Sequence, residues 1–224
     1  MLIARPSAVR RPIRIGHRTV VVVERGRTPG HRAGLTRTAV LGAARELVTE
    51  RGLAALTMRT LASRLDVAPN ALYSHVANKT ALIDYLLDDV LADVEVPAAD
   101  IDDPVAGLHQ LMASTYTVLL THPDLVPHYL SCQGAHGPNA HRLGDITTAL
   151  LRRADVSEPA ASEALRVLIV YTIGFAAFTS RLPPGTGTEH QPSAAEMLDN
   201  FNHGLGWLLT GIQQGRPAPG QAPA

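Results

Sequence analysis

Polar side chains that can bond to an anion or to a base edge are concentrated between Leu56 and Lys79. Thr57 precedes a short apolar-periodic segment, where its hydroxyl can cap a helix by accepting free backbone N–H groups. A tight connection over residues 66–68 leads to Pro69, which the first position of a helix tolerates because proline has no N–H to lose. Two short helices joined by such a turn predict a helix-turn-helix, whose second helix fits the DNA major groove.

Residue types assign candidate DNA contacts within this motif. Phosphates favour positive charge and exposed donors, and a helix N-terminus is itself an anion site. Arg59 can form the bidentate hydrogen bonds to guanine, and Asn70 can bond adenine or a phosphate. Pro69 and Ala71 offer only apolar contact, for instance to a thymine methyl. The predicted DNA-binding residues are Thr57, Met58, Arg59, Pro69, Asn70, Ala71, Tyr73, Ser74, His75 and Lys79.

The end of this segment carries a family resemblance. The residues Leu72-Tyr73-Ser74-His75-Val76-Ala77-Asn78-Lys79-Thr80-Ala81-Leu82 resemble the signature of the TetR (tetracycline-repressor-like) transcriptional regulators, Leu-Tyr-x-His-Phe/Val-x-x-Lys-x-x-Leu. The resemblance runs from about Leu35 to about Val94. It implies that Tyr73, His75 and Lys79 touch phosphates. Looser similarity to the ligand-binding half of actinobacterial members lies at Gly137-Pro138-Asn139-Ala140, around Tyr171–Ala176 and in Phe201–Gly211.

Several of these residues have a structural alternative. Tyr73 could bury its ring and expose only its hydroxyl, and His75 could serve the scaffold by hydrogen bonding. Arg64 is predicted to be a solvated surface charge rather than a base reader. Ala68 stands at the N-cap of the second helix, where Ser or another capping residue is commoner in the family, although Pro69 partly compensates by fixing the first dihedral angle.

Composition indicates a helical protein. The chain has 224 residues, 46% of them hydrophobic and 4% aromatic, and is rich in Ala and Leu, which favours helices over sheets. The single Cys132 cannot form an internal disulfide, which fits a reducing compartment. No run of about eighteen apolar residues could span a bilayer, and Val20–Val23 is too short for a signal-peptide core. We therefore expect a soluble, cytoplasmic, all-α protein without a membrane partner.

The formal net charge of zero hides an asymmetry along the chain. Residues 1–34 hold eight arginines and one acidic residue, and residues 35–80 hold six basic and three acidic residues. Residues 81–224 hold six basic and sixteen acidic residues. A basic amino-terminal part followed by an acidic remainder is typical of a phosphate-binding head on a non-binding body. The alternative is that the acidic part simply maintains solubility.

Stretches rich in proline and glycine divide the chain. The predicted segments are a flexible basic arm (1–34), a three-helix helix-turn-helix domain (35–82), an antiparallel helical effector-binding and dimerisation domain (83–213) and a disordered tail (214–224). Apolar periodicity and capping residues predict helices near 37–50, 69–75, 78–94, 104–121, 124–133, 139–154, 158–181 and 194–213, besides the one capped by Thr57.

Ten histidines raise the question of a metal site. His122, His128, His136 and His141 lie close together in sequence with Cys132 among them, but their spacings do not match a zinc pattern. No Gly-rich phosphate loop, nucleophile elbow or paired-carboxylate arrangement stands out either. We expect no metal, no cofactor and no enzyme, and interpret these histidines as helix-surface and pocket-rim residues.

The second domain offers candidates for a small-molecule pocket. Aromatic, Met and polar residues on its helices fit an apolar cavity with a few polar anchors, although core packing could explain each of them individually. The predicted ligand-binding residues are His109, Met112, Tyr116, Tyr129, Cys132, Tyr171, Phe175 and Phe178.

Two hypotheses about function stay open. The first is a homodimeric, ligand-responsive repressor that a small-molecule effector releases from a palindromic double-stranded DNA operator. The second is a dimeric activator or effector-independent regulator whose second domain only dimerises or binds a protein partner. A cavity of several hundred cubic ångströms would favour the first. In the arm, Arg25, Arg27 and Arg32 could track phosphates or enter the minor groove, unless the arm is an extension from a misplaced start codon.

Overall fold

A computed structural model describes residues 13–15, 18–20, 34–132, 134–182 and 192–215, and the chain divides into two units. In unit Met1–Leu35, strands β1 (Ile13–Ile15) and β2 (Arg18–Val20) pair antiparallel, with Ile13 opposite Val20 and Ile15 opposite Arg18. Both strands contain β-branched residues, which favour this conformation. The sequence interpretation did not anticipate this pairing, and the other residues of the predicted arm up to residue 33 lie outside the described part.

Unit Thr36–Ala224 is helical wherever the structure describes regular elements, which confirms the predicted fold class. Its helices are α1 Arg37–Arg51, α2 Met58–Arg64, α3 Pro69–Leu72, α4 Lys79–Val90, α5 Pro104–Leu120, α6 Val126–Ser131, α7 Pro138–Arg153, α8 Ala160–Thr179 and α9 Ala194–Gln214, with 3-10 turns at Leu53–Ala55 and Leu91–Asp93. Residues 214–224 were predicted as a tail, and those after 215 lie outside the described part.

Side-chain caps determine where these helices begin. Thr36 accepts a hydrogen bond from the amide of Ala39 at 3.1 Å, and Thr57 forms a capping box with Thr60. Asn78 accepts from the amide of Ala81 at 2.8 Å and thereby starts α4. Each of these side chains satisfies an N–H group that a helix leaves without a partner.

The second helix of the helix-turn-helix is shorter than the sequence predicts. It ends at Leu72 rather than near His75, and the amide of His75 bonds back to the carbonyl of Leu72 at 2.9 Å as a turn. Ala68 supplies no side-chain cap, as its residue type predicts. Leu72 is fully buried and anchors α3 against α2.

An aromatic cluster holds α5, α8 and α9 together. The ring of Tyr116 stacks on that of Phe201 with centroids 4.2 Å apart, and its hydroxyl lies 2.8 Å from Thr179 Oγ1. Tyr171 donates to the carbonyl of Phe201 at 2.8 Å, and Phe175 meets the Phe201 ring edge-on. This cluster forms the core of the carboxyl-terminal helices.

Helix α8 is apolar nearly all round. By length and composition it is the one described helix that could cross a membrane, with 33% of its most apolar window buried. Glu163 and Arg166 interrupt its apolar residues, so the sequence contains no unbroken apolar run of that length. The helix packs against α5, α6, α7 and α9 on one side and leaves Val170 and Phe178 exposed on the other. It is therefore a core helix with one uncovered face.

Charged groups join α1 to the helices that follow it. Arg45 contacts Asp89 at 3.5 Å, forms an ion pair with Asp93, and lies 3.5 Å from His122 Nε2. Burial lowers the pKa of His122, and the charge of Arg45 lowers it further, against the opposing effect of Asp93 and Asp89.

This lowered pKa predicts a loss of stability in weak acid. In the unfolded chain His122 has its ordinary pKa of about 6.5, whereas in the folded chain its pKa is lower. Below about pH 6.5 the unfolded state therefore binds a proton more readily than the folded state. The free energy of unfolding is thus unaffected by His122 above that pH and decreases as the pH falls toward the folded pKa. The free energy of unfolding, measured in urea between about pH 8 and about pH 5.5, should decrease less steeply in His122→Gln than in the wild type. Parallel slopes in the two proteins would contradict this assignment.

A buried carboxylate connects α4 to α7. Asp88 on α4 accepts from the amide of Ala140 at 2.9 Å, from the amide of Asn139 at 3.3 Å and from Asn139 Nδ2 at 3.2 Å. It thereby caps the first turn of α7, where Gly137 has no capping side chain. A Cβ on Gly137 would lie 2.2 Å from Asp88 Cγ, so the close approach of the two helices requires glycine there.

Candidate nucleic-acid interface and ligand cavity

The exposed surface of the helix-turn-helix contains most of the predicted DNA contacts. Leu61, Leu72 and Val76 are buried and orient α2 and α3. Met58, Ala71 and His75 are half-buried at its edge. The side chains that this packing leaves exposed are Thr57, Arg59, Pro69, Asn70, Tyr73, Ser74 and Lys79.

Two of the predicted contacts have partial structural roles. Thr57 uses its hydroxyl to cap α2, and Ser74 donates to the carbonyl of Ala71 at 2.8 Å.

Tyr73 is 52% exposed, so its ring is not part of the core. It lies in the turn that precedes α4, as an exposed phosphate contact would require.

Cations in the amino-terminal part of the helical unit fall into two groups. Arg64 bonds to Glu50 at 2.6 Å and to Glu46 at 2.9 Å, and these contacts raise its pKa. Arg59 and Lys79, by contrast, form no ion pair or side-chain hydrogen bond with another described residue. These two cations are therefore free to meet phosphates or base edges.

A cavity of about 400 Å³ lies between α5, α6, α7 and α8. Met112 and Tyr129, both predicted to bind a ligand, are among its lining residues. Burial is the main cause that raises the pKa of Tyr129, and its hydroxyl donates to the carbonyl of Leu87. The cavity is large enough for a small organic molecule.

A second hollow, an open groove of about 1110 Å³, lies between α8 and α9. Tyr171, Phe175 and Phe178, also predicted as ligand-binding, line this groove with Trp207 and Met197. The structure therefore separates the predicted ligand-binding residues into two hollows. Tyr116 is buried in the aromatic cluster, and His109 and Cys132 are half-buried and line neither hollow.

The cavity also has lining residues that the sequence interpretation did not assign to it. They include Thr115 on α5, Asp145 and Thr148 on α7, and Thr172 on α8. Helical spacing was the available signal, since Thr148 lies one turn beyond Gly144, which also lines the cavity. Of the four histidines that the sequence predicts at helix surfaces and pocket rims, His136 and His141 line the cavity, whereas His122 and His128 do not. Among the described residues, no group of His, Cys, Asp or Glu side chains is placed to hold a metal ion.

Two family models match this chain. Residues 40–86 match the bacterial regulatory proteins of the tetR family, and residues 96–201 match the tetracyclin repressor-like carboxyl-terminal domain. The chain belongs to the TetR family. The first match covers the helix-turn-helix with α4, and the second covers α5 to α8 and reaches Phe201 in α9.

Relatives of this TetR-family chain are regulators. A helix-turn-helix transcriptional regulator from Saccharopolyspora erythraea is 33% identical over 140 residues, which cover 62% of this chain. The match spans 59% of that regulator's own length. Such relatives are transcriptional regulators and not enzymes, which supports the prediction that this chain is not an enzyme.

Solved structures share the fold over most of this TetR-family chain. A TetR variant from Acinetobacter baumannii in complex with minocycline is 27% identical, covers 82% of this chain and 99% of its own length, and superposes with a TM-score of 0.69. BioQ with its double-stranded DNA operator is also 27% identical, with a TM-score of 0.63, and covers 80% of this chain and 99% of its own. BioQ has also been solved from Mycobacterium smegmatis.

Proposed function

We propose that the protein is a cytoplasmic, homodimeric transcriptional repressor that binds a palindromic DNA operator and is released from it by a small molecule. The observation that carries this proposal is the combination, in one TetR-family chain, of an exposed polar helix-turn-helix surface and a cavity of about 400 Å³. The basic excess of residues 1–80 and the acidic excess of residues 81–224 also support DNA binding by the amino-terminal part alone.

DNA binding is proposed for the surface of α2, α3 and the start of α4. Lys79 and the amino terminus of α4 suit phosphates, and Arg59 suits a guanine edge. BioQ, with the same fold, has been solved bound to its operator, which supports this use of the motif. A two-fold dimer would present two such surfaces to half-sites about 34–36 Å apart.

Variants of three cations separate the proposed roles. Lys79→Ala should weaken binding to every DNA sequence and reduce the salt slope by about one unit, because it removes one phosphate contact. Arg59→Ala should cost about 1–3 kcal/mol at the operator and relax base preference. Arg64→Ala is the control, since its guanidinium is engaged by Glu46 and Glu50.

These affinities are measured by fluorescence anisotropy with labelled duplexes at several salt concentrations. The duplexes come from footprinting upstream of the protein's own gene and its neighbours. Equal affinity and salt slope in wild type, Lys79→Ala and Arg59→Ala would refute this DNA-binding surface.

Dimerisation is proposed through α8 and α9. Val170, Phe178 and Trp207 are more than half exposed, an unusual state for large apolar side chains in a lone subunit. Phe178 and Trp207 line the open groove between the two helices, so a second copy that fills the groove would cover both side chains. Two helices from each subunit would then form a four-helix bundle.

Effector binding is proposed for the partly open cavity of about 400 Å³ and not for the groove, because the dimer would fill the groove. A regulator whose second domain only dimerises would not need an internal space of this size, so the cavity favours the ligand-responsive hypothesis. The Acinetobacter baumannii TetR variant, with the same fold, has been solved with minocycline, which supports a small-molecule role for such a cavity. Release of DNA from the protein on addition of metabolite extracts tests the effector role.

A DNA role for the arm, residues 1–34, is also proposed. Its eight arginines would add contacts to phosphates or the minor groove. Its removal would then lower the affinity and flatten the salt dependence without changing the dimer.

A further inference from the structure

The threonine hydroxyl groups that line the cavity of about 400 Å³ donate their hydrogen atoms to backbone carbonyls. Thr115 donates to the carbonyl of Leu111 at 2.8 Å, Thr148 to that of Gly144 at 2.9 Å, and Thr172 to that of Leu168 at 2.8 Å. Thr147 does the same to Leu143 at 2.8 Å. A hydroxyl carries one hydrogen and two lone pairs, so these groups can offer only acceptors to a guest.

The polar rim of the cavity also favours acceptors. His136 Nε2 lies 2.9 Å from the carbonyl oxygen of Cys132, which can only accept, so this nitrogen carries the hydrogen and Nδ1 of the neutral ring presents a lone pair. Asp145 contributes an exposed carboxylate that forms no ion pair with another described residue. His141, without a side-chain hydrogen bond among the described residues, can donate or accept.

The rest of the wall is apolar. No Lys or Arg side chain belongs to the described lining, and Asp145 supplies the one carboxylate side chain in it. The large apolar side chains of the lining are Leu91, Met112, Leu119, Leu143, Leu165, Ile169 and Ile173.

We propose that the cavity binds an amphipathic amine: an apolar, drug-sized molecule whose ammonium group lies at Asp145 and whose other polar groups are hydrogen-bond donors. This inference rests on the proposed function only where it makes the amine an effector that releases DNA, because binding of the amine itself can be measured without DNA. A carboxylate in the same place would meet lone pairs and the like charge of Asp145, which disfavour it. The excess of acidic over basic residues in 81–224 also favours a cationic ligand over an anionic one.

Four anthracene compounds that differ in one substituent test the class. They are 9-(aminomethyl)anthracene, 9-anthracenemethanol, 9-methylanthracene and anthracene-9-carboxylate, and their intrinsic fluorescence anisotropy reports binding to the full-length protein. The amine should bind about two- to fivefold more tightly than the methyl compound, because it adds an ion pair with the exposed Asp145 carboxylate. The alcohol should lie between them, and the carboxylate should bind most weakly.

Variants locate the effect. Asp145→Asn should reduce the affinity of the amine to about that of the alcohol and leave the methyl compound unchanged, whereas Asp102→Asn, an exposed acid outside the cavity, should change neither. Gly144→Leu should abolish binding of all four compounds, since Gly144 lines the cavity and open space lies where its side chain would go.

Each outcome decides one question. The proposal is overturned if the carboxylate binds as tightly as the amine, if Asp145→Asn keeps the preference, or if no compound binds. If the amine binds as expected but leaves DNA binding unchanged, the ligand class stands and the proposed release of DNA by this class of ligand fails.

Discussion

Trp207→Asp should convert a dimer into monomers and lower operator affinity by about 100-fold or more, because two linked half-site contacts become one. Trp207 is 78% exposed in the single subunit and lines the groove between α8 and α9. In the proposed dimer it would be buried, and a charge there would have to be desolvated. Phe178→Asp, on the facing helix, should have the same effect. Light scattering and sedimentation give the oligomeric state.

Controls distinguish dissociation from unfolding. Leu130→Asp changes an equally apolar, exposed residue on α6, away from the groove, and should remain dimeric. Leu205→Asp is a poor test, although Leu205 also lies on α9, because it is fully buried within the subunit and a charge there should unfold the chain.

The chain contains a single tryptophan, so its fluorescence reports directly on this interface. Dilution of the wild type should shift the emission of Trp207 to longer wavelengths and increase quenching by acrylamide. A wild-type protein that is monomeric at micromolar concentration, with a quencher-accessible Trp207 throughout, would refute the proposed dimer.

Gly137→Ala should reduce the free energy of unfolding by about 1–3 kcal/mol, the usual cost of forcing a methyl group into a packed contact. Its φ is −92°, so the cause is not backbone strain. The added Cβ would instead collide with the Asp88 carboxylate and disturb the bonds to Asn139 and Ala140.

Gly144 on the same helix is the matched control. No atom lies within 4 Å of where its Cβ would be, so Gly144→Ala should be neutral or stabilise by up to about 1 kcal/mol through better helix propensity. Urea unfolding followed by circular dichroism measures both variants. Equal stability of the two would show that α4 and α7 do not approach as closely as described.

Local chemistry made the helices of this chain predictable. Capping by Thr36, Thr57 and Asn78 depends on residues three or four positions away, so the sequence alone located the starts of α1, α2 and α4. The end of α3 was less predictable, because Tyr73 and His75 are compatible with a helix and the surrounding turn determines where it stops.

The ligand site was harder to predict, because a side chain's surroundings depend on which helices pack together. Met112 and Tyr116 lie one turn apart on α5, yet Met112 lines the cavity and Tyr116 stacks on Phe201. Likewise, Tyr171 and Thr172 are neighbours in sequence, but one borders the groove and the other the cavity. Only the packing of α8 between α5, α7 and α9 decides this difference.

The carboxylate of Asp88 couples the position of α4 to that of the first turn of α7. It joins the helix that starts at Lys79 to the turn containing Asn139 and Ala140, and Ala140 is itself part of the cavity wall. A guest that pushes this turn outward must either drag α4 with it or break buried hydrogen bonds. If a guest displaced this turn while these hydrogen bonds stayed intact, α4 would tilt with it, and we would expect the spacing of the two recognition helices in the proposed dimer to change.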